Sequence, residues 1–528
     1  MRSLHVPGRS PVYARRAMVA TSHPLATEAA MAVLKQGGNA VDAAIATVAV
    51  LCVVEHPMTG IGGDCFAIVA KPGQKPIALN ASGLAPKAAT AKWYADKGIK
   101  DIPLQSPHAV TVPGSIDGWT TLLADHGTKK LSDLLAPAID YAENGFVVAP
   151  RVAADWGGSV AKLKANGGAT QHLLHEGKPP KAGDIWHFKA LANTLKAIAR
   201  DGRDGFYAGP VAADIVAELQ ALGGLHTLED FANQRCSYVD PIAVNYKGVD
   251  LWELPPNNHG IVALIMLKML AKLGPLSVDP GSPERYHVLM EAARLAYAVR
   301  DTFVADPLMA KVPVEHMLSD KLIDTLVARI DRKRCTPDLG PIPKPAGSDT
   351  TCFSIVDDKG MAVSFINSLF ADFGSGIVTK KTGVVLHNRG QGFTLDPAHP
   401  NCIAPGKRPM HTLIPAMAMR GHQLMASFGV MGAAFQPMGH VYILTNMLDY
   451  GLDAQEALDL PRVFFEGGEL LVESGLPGST MEALTLMGHK VAIRKMPWGG
   501  GQIIVRDPVT GALIGGSDHR KDGSALGY

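Results

Sequence analysis

The 528-residue chain reads as an α+β protein, and three observations predict that class. Helical periodicity dominates as far as Thr302. Short β-rich runs alternating with turns take over after Thr350. Between them lies a Pro- and Gly-rich stretch, from Thr336-Pro337 to Gly347-Ser348. A chain of this length builds two domains or one large layered core. Hydrophobic residues make up 47% and charged residues 19%, a balance that implies much buried surface and allows for an oligomer. The formal net charge of +1 excludes nucleic acid as a main partner, because no basic excess exists to neutralise phosphates.

In chain order, residues 25–36 carry apolar side chains at helical spacing and stop at Gly37-Gly38, a C-cap signal. Asn39 is placed to cap a helix at Ala40–Val54, which is apolar on most faces and therefore expected inside. Gly60-Ile61-Gly62-Gly63-Asp64 leads into a strand at 65–70. Turn before strand is the wrong order for a dinucleotide fingerprint, which runs strand, turn, helix. Val112-Pro113-Gly114-Ser115 opens a helix at 116–125, and residues 130–235 are mainly helical. A strand is expected at 243–249, then helices at Ile261–Leu273 and 284–302. After Thr350 the pattern predicts a strand at 361–365 and a helix at 441–450. Further strands are expected at Glu469–Val472, Val491–Ile493 and 503–505.

The six cysteines (Cys52, Cys65, Cys236, Cys335, Cys352 and Cys402) include no CxxC pair and read as reduced thiols. No Cys/His cluster has zinc spacing, so neither metal nor organic cofactor is implied. The basic N-terminus lacks an apolar signal region, and the longest apolar run, 43–54, is too short to span a membrane. A cytoplasmic location with no membrane partner is the resulting expectation.

Asp349-Thr350-Thr351-Cys352-Phe353-Ser354-Ile355-Val356 is the most informative stretch. Two hydroxyl residues stand at the head of a strand reached through the Pro/Gly-rich loop. A cut before Thr350 would place its hydroxyl beside a free α-amine, a self-contained nucleophile and base. Thr351 and Cys352 are rival nucleophiles by chemistry alone.

Other motifs join this one. Near the N-terminus stand Met18-Val19-Ala20, Gly37-Gly38-Asn39-Ala40-Val41-Asp42-Ala43-Ala44, Glu55-His56-Pro57 and Gly62-Gly63. Val112-Pro113-Gly114-Ser115 and Leu254-Pro255-Pro256 follow. Then come Asp349-Thr350-Thr351, Phe373-Gly374-Ser375-Gly376, Lys407-Arg408-Pro409, Asp449-Tyr450-Gly451 and Ser517-Asp518. In this order they resemble the gamma-glutamyltranspeptidase family of N-terminal-nucleophile hydrolases, from about residue 18 to residue 528. The resemblance implies a four-layer αββα sandwich built from one self-cutting chain. Cleavage between Asp349 and Thr350 would give a large subunit, 1–349, and a small subunit, 350–528, that stay together. Thr350 would be the nucleophile, Ser368 a hydroxyl hydrogen-bonded to it, and Gly432-Ala433 the oxyanion-hole pair. The family has Gly-Gly there; an Ala keeps the backbone N–H, provided its φ is not positive.

The substrate positions depart from the family's glutamyl-binding pattern. Ser82 stands where the family has the Arg that holds the α-carboxylate, and Gly392 where it has the Asp that holds the α-amine. His411-Thr412 replaces a Ser pair, and Phe370 replaces an Asn. Arg389 adds a cation suited to bidentate carboxylate binding. The pattern is similar to the oxamate amidohydrolase-like branch and points to a small carboxylate-bearing amide as substrate. Two alternatives stand beside it: a γ-glutamyl hydrolase or transferase acting on glutathione-like compounds, and an inert binding protein that kept the fold.

Overall fold

The computed structural model describes residues 8–337 and 349–528, and the side chain of Asp349 lies outside the described set. The Pro/Gly-rich approach to Thr350 also falls mostly outside it.

Before residue 349 the two large sheets draw on β1 (Val12–Ala14), β2 (Met18–Thr21), β3 (Asp64–Ala70), β4 (Ile77–Ala81), β5 (Ser237–Val239), β6 (Ile242–Tyr246) and β7 (Val249–Glu253). From residue 349 onward they draw on β8 (Asp349–Val356), β9 (Ala362–Phe370), β10 (Ala416–Arg420), β11 (Gln423–Met431), β12 (Gly500–Arg506), β13 (Leu513–Ser517) and β14 (Ser524–Gly527). Sheet one runs β14-β2-β8-β9-β3-β4-β5, and sheet two runs β1-β13-β12-β11-β10-β7-β6. Neighbours within each sheet are antiparallel. Both sheets therefore interleave strands from the two sides of the Asp349–Thr350 bond.

Three apolar cores separate four layers, as an αββα sandwich requires. Outside sheet one lie α1 (Pro24–Lys35), α2 (Ala40–Val54) and α3 (Leu131–Asn144), packed on Val19, Ala67, Phe353 and Phe365. Between the sheets lie Met18, Phe66, Cys352, Ile366, Met417, Met431 and Ile504. Outside sheet two lie α4 (Ile261–Leu273), α5 (Pro283–Phe303) and α6 (Gln436–Tyr450), packed on Leu251, Phe428 and Val430. Along β8, Phe353 and Ile355 face the helices while Cys352 faces the other sheet, the period of two that a doubly covered strand imposes.

All fifteen residues of α2 are buried, and Asn39 and Asp42 form a reciprocal capping box at its start. The strand expected at 243–249 is instead a hairpin. Lys247 and Gly248, at φ +51° and +81°, make a two-residue turn, so Tyr246 pairs with Val249. The strand expected at 361–365 continues to Phe370, and the helix expected at 441–450 begins earlier, at Gln436. None of the six cysteines is in a disulfide. Among the described residues no helix is long and apolar enough to cross a membrane.

Because both sheets mix strands from before and after Thr350, pieces 1–349 and 350–528 are expected to co-elute on native gel filtration after a cut and to part only in denaturant. Release of the 350–528 piece alone under native conditions would contradict this topology.

Candidate active site around Thr350

Thr350 sits at the head of β8, fully buried. Its partner strand carries Ser368. Asp349 pairs with Phe370 and Thr351 with Asn367, so the register slips by one residue at Thr350. Such a bulge re-aims side chains. Here the Thr350 Oγ1 and Ser368 Oγ atoms come to 3.1 Å, and the Phe370 N–H donates to Ser368 Oγ at 2.7 Å. Gly63 allows the approach from β3: a Cβ there would stand 2.3 Å from the Ser368 carbonyl oxygen. The rival nucleophiles point elsewhere. Thr351 donates its hydroxyl to the Asn367 carbonyl at 3.1 Å. The Cys352 thiol faces the Gly500 carbonyl at 3.4 Å, and burial pushes its pKa far up, so it stays protonated and poorly nucleophilic.

Arg389 reaches the same place from a short 3₁₀ turn, Arg389–Gly392. Nη1 donates to Thr412 Oγ1 at 2.6 Å and Nη2 to Ser368 Oγ at 3.4 Å, while the guanidinium lies over the Phe370 ring at 4.1 Å. Nε makes no hydrogen bond, and among the described residues no carboxylate lies within ion-pair distance of the group. Burial lowers its pKa to about 9, opposed by the charge of Asp64, so the side chain is still a cation at neutral pH.

Asp64, at the start of β3, is the site residue that sequence reasoning missed. Oδ1 accepts the Gly83 and Gly114 N–H groups, each at 3.0 Å, and Oδ2 accepts from His411 Nε2 at 3.1 Å. Burial alone would raise its pKa; His387, His411 and Arg389 prevail and hold it at about 2. Its one visible signal was an acid heading a wholly buried strand.

Two expected substrate contacts serve this wall instead. Both ring nitrogens of His411 are committed, Nε2 to Asp64 and Nδ1 to the Leu413 N–H at 3.2 Å. Burial and then Arg389 lower its pKa to about 3, so the ring is neutral. Ser82 donates to Asn80 Oδ1 at 2.7 Å and accepts from Asn257 Nδ2 at 3.3 Å. Fully buried side chains with their hydrogen bonds already made have little left to offer a ligand. Gly392 is positioned by packing, since a Cβ there would meet the Met410 carbonyl oxygen at 2.7 Å.

Gly432-Ala433 forms the turn between β11 and the short 3₁₀ turn before α6, with φ of +124° and +47°. The proviso attached to Ala433 is therefore not met. Its N–H is present, but the residue sits in the left-handed region that glycine favours. Among the described residues the three-ligand convergence of His, Cys, Asp or Glu atoms is at His287, Glu291 and His489, on other elements.

Comparison with known proteins agrees with this geometry. The gamma-glutamyltranspeptidase family model matches residues 26–528. A glutathione hydrolase-like proenzyme, YwrD, of Bacillus subtilis (strain 168) is 36% identical, aligning 98% of this chain with 99% of that protein. The oxamate amidohydrolase proenzyme of Klebsiella pneumoniae subsp. pneumoniae is 35% identical over 97% of this chain and 98% of its own. The crystal structure of cephalosporin acylase from Bacillus halodurans superposes with a TM-score of 0.93 at 38% identity, covering 100% of this chain and 99% of that one.

Ala433→Gly is expected to raise the unfolding free energy by about 1 kcal/mol by relieving the left-handed alanine. A denaturant midpoint that falls instead would show that the methyl group's packing outweighs the strain.

Proposed function

This chain belongs to the gamma-glutamyltranspeptidase family of autoprocessing N-terminal-nucleophile hydrolases, and from that premise we propose that it cleaves a small carboxylate-bearing amide, oxamate-like, through an acyl-enzyme on Thr350. The observation that carries the reading is Arg389: a buried cation with no carboxylate partner among the described residues, one hydrogen bond away from the hydroxyl that meets Thr350. Keeping a guanidinium out of water without an ion pair costs free energy, and a substrate carboxylate would offset that cost.

In the precursor, Thr350 Oγ1 adds to the Asp349 carbonyl carbon. The peptide C–N bond breaks, its nitrogen takes a proton, and water hydrolyses the resulting ester. The products are a carboxylate at Asp349 and a free amine on Thr350. A free α-amine has a pKa near 7.7–8.0, so a modest depression suffices for it to act as base at neutral pH. In the mature site that amine takes the Thr350 hydroxyl proton as the oxygen attacks the substrate carbonyl. The tetrahedral oxyanion is met by the backbone N–H groups of Gly432 and Ala433, donors of a kind worth roughly 3–4 kcal/mol. Ala433 is held in a left-handed backbone that keeps its N–H but re-aims it. The protonated leaving amine departs, and water resolves the ester.

Arg389 sets the specificity. In oxamate the carboxylate is bonded directly to the reacting carbonyl carbon, which suits a cation this close to the nucleophile. A γ-glutamyl group carries its carboxylate and amine several bonds away. The family's Arg and Asp for those groups are Ser82 and Gly392 here, the former engaged with Asn80 and Asn257.

Thr350→Ala is expected to leave one band near the intact mass of 55.8 kDa on a denaturing gel and to abolish turnover. Two bands with retained activity would refute the mechanism, and an inert protein would stay whole in the wild type. Arg389→Met is expected to lower kcat/KM for oxamate by roughly 100-fold while changing that for an uncharged amide little. Robust γ-glutamyl anilide turnover by wild type, with none on oxamate, would transfer the assignment to the glutathione-like alternative.

A further inference from the structure

His287 and Glu291 stand one turn apart on the same face of α5. Facing them is His489, just beyond α7 (Gly478–Leu486). One ligand atom from each of the three lies within 4.8 Å of the others, and all three residues are buried. The His287 and His489 rings meet with Nδ1 and Nε2 at 2.7 Å and centroids at 5.0 Å.

The protonation pattern follows from the partners. His287 Nε2 is 2.7 Å from the Asp331 carbonyl, which can only accept, so that nitrogen carries the proton. In that tautomer His287 turns its Nδ1 toward His489 and Glu291. A ring whose far N–H is fixed by a carbonyl, with its near nitrogen aimed at a shared point, is the usual posture of a metal-bound histidine. His489 Nδ1 is buried with no hydrogen-bond partner.

A fourth donor is at hand. The Cys335 sulfur is 3.7 Å from Glu291 Oε1 and 3.5 Å from Arg294 Nη1, and the Cys335 N–H donates to the Met487 carbonyl at 2.7 Å. Glu291 also accepts the Thr336 N–H at 2.9 Å. Two imidazoles, one carboxylate and one thiolate would neutralise a divalent cation; the ion must displace Arg294 Nη1 from Glu291 Oε1, now 3.0 Å apart, and Arg294 also lies beside the sulfur that would lose its proton. Tetrahedral binding needs donors roughly 3.3–3.5 Å apart, so the two histidines must open by under about 1 Å and the Cys335 sulfur, outside the group that converges within 4.8 Å, must swing in.

We propose that His287, Glu291, His489 and Cys335 bind one divalent, borderline-soft transition ion of the zinc class, as a structural clip. On binding, the Cys335 proton leaves to solvent and the His489 proton moves from Nε2 to Nδ1. His287, Glu291 and Cys335 precede Thr350 and His489 follows it, so the ion would join the two pieces. That joining role rests on the cut proposed above; the binding itself does not.

The test uses full-length protein without a histidine tag, stripped by a chelator and titrated with Co²⁺ and then Zn²⁺. One equivalent of Co²⁺ is expected, with tetrahedral d–d absorption and a thiolate-to-cobalt charge-transfer band, displaced by Zn²⁺. Cys335→Ser should lose the charge-transfer band, and His489→Ala or His489→Gln should weaken binding by roughly 100-fold. The uncut Thr350→Ala chain should bind as wild type does, which separates failure of this site from failure of the cutting mechanism. Absence of stoichiometric uptake by folded wild type at micromolar metal would overturn the proposal without recourse to any variant. Uptake of equal affinity in a folded His489 variant would overturn it too.

Discussion

The pairing of β8 with β9 is the interaction on which the rest of the molecule depends. These are the third and fourth strands of a seven-stranded sheet, with helices on one side and a second sheet on the other. In so dry a setting each backbone group must find a partner, and the ladder fixes register tightly. The single slip at Thr350 is therefore a built feature. It sets two buried hydroxyls side by side, where a hydrogen bond is electrostatically stronger than in solvent.

Around that hydroxyl pair the charges are few and unevenly matched. Asp64 is surrounded by backbone N–H donors and imidazoles, and its ionised form is well held. Arg389 has hydroxyls, an aromatic face and only the more distant field of Asp64. Among the described residues, the charged group nearest the hydroxyl pair is thus the Arg389 cation.

Much of the fold was legible in the sequence. The α2 helix and the helix at Ile261–Leu273 were readable to the residue, because each is long, apolar and bounded by clear end signals. The hairpin after Tyr246 was not, since Lys247 gives no hint of a left-handed backbone. The strand at 362–370 runs five residues past its expected end, through the polar residues Asn367 and Ser368. Asn367 explains why: its amide oxygen accepts from Ser115 and Trp119, and its nitrogen donates to Thr59 and Gly60. A buried amide with its capacity filled by other layers reads, in one dimension, like a solvated one. For the site, motif spacing singled out Thr350, Ser368 and Arg389, and the structure brings their side chains together. The partners of Ser82 and His411, namely Asn80, Asn257 and Asp64, become neighbours only in three dimensions, so their hydrogen bonds could not be read from the sequence. The His287, Glu291 and His489 group was invisible for the same reason, since its members are drawn from segments some 200 positions apart.

The woven sheets carry a consequence for biogenesis. The strand that presents Thr350 is flanked by β2, from near the start of the chain, while β14, from its very end, closes the same edge. If the proposed cut before Thr350 occurs, it would happen inside a sheet whose edge is completed by strands drawn from 18–21 and 524–527. Self-cutting would then act as a proofreading mark: a mature polypeptide pair would certify that the sheet had been assembled, and a lingering intact chain would record that it had not.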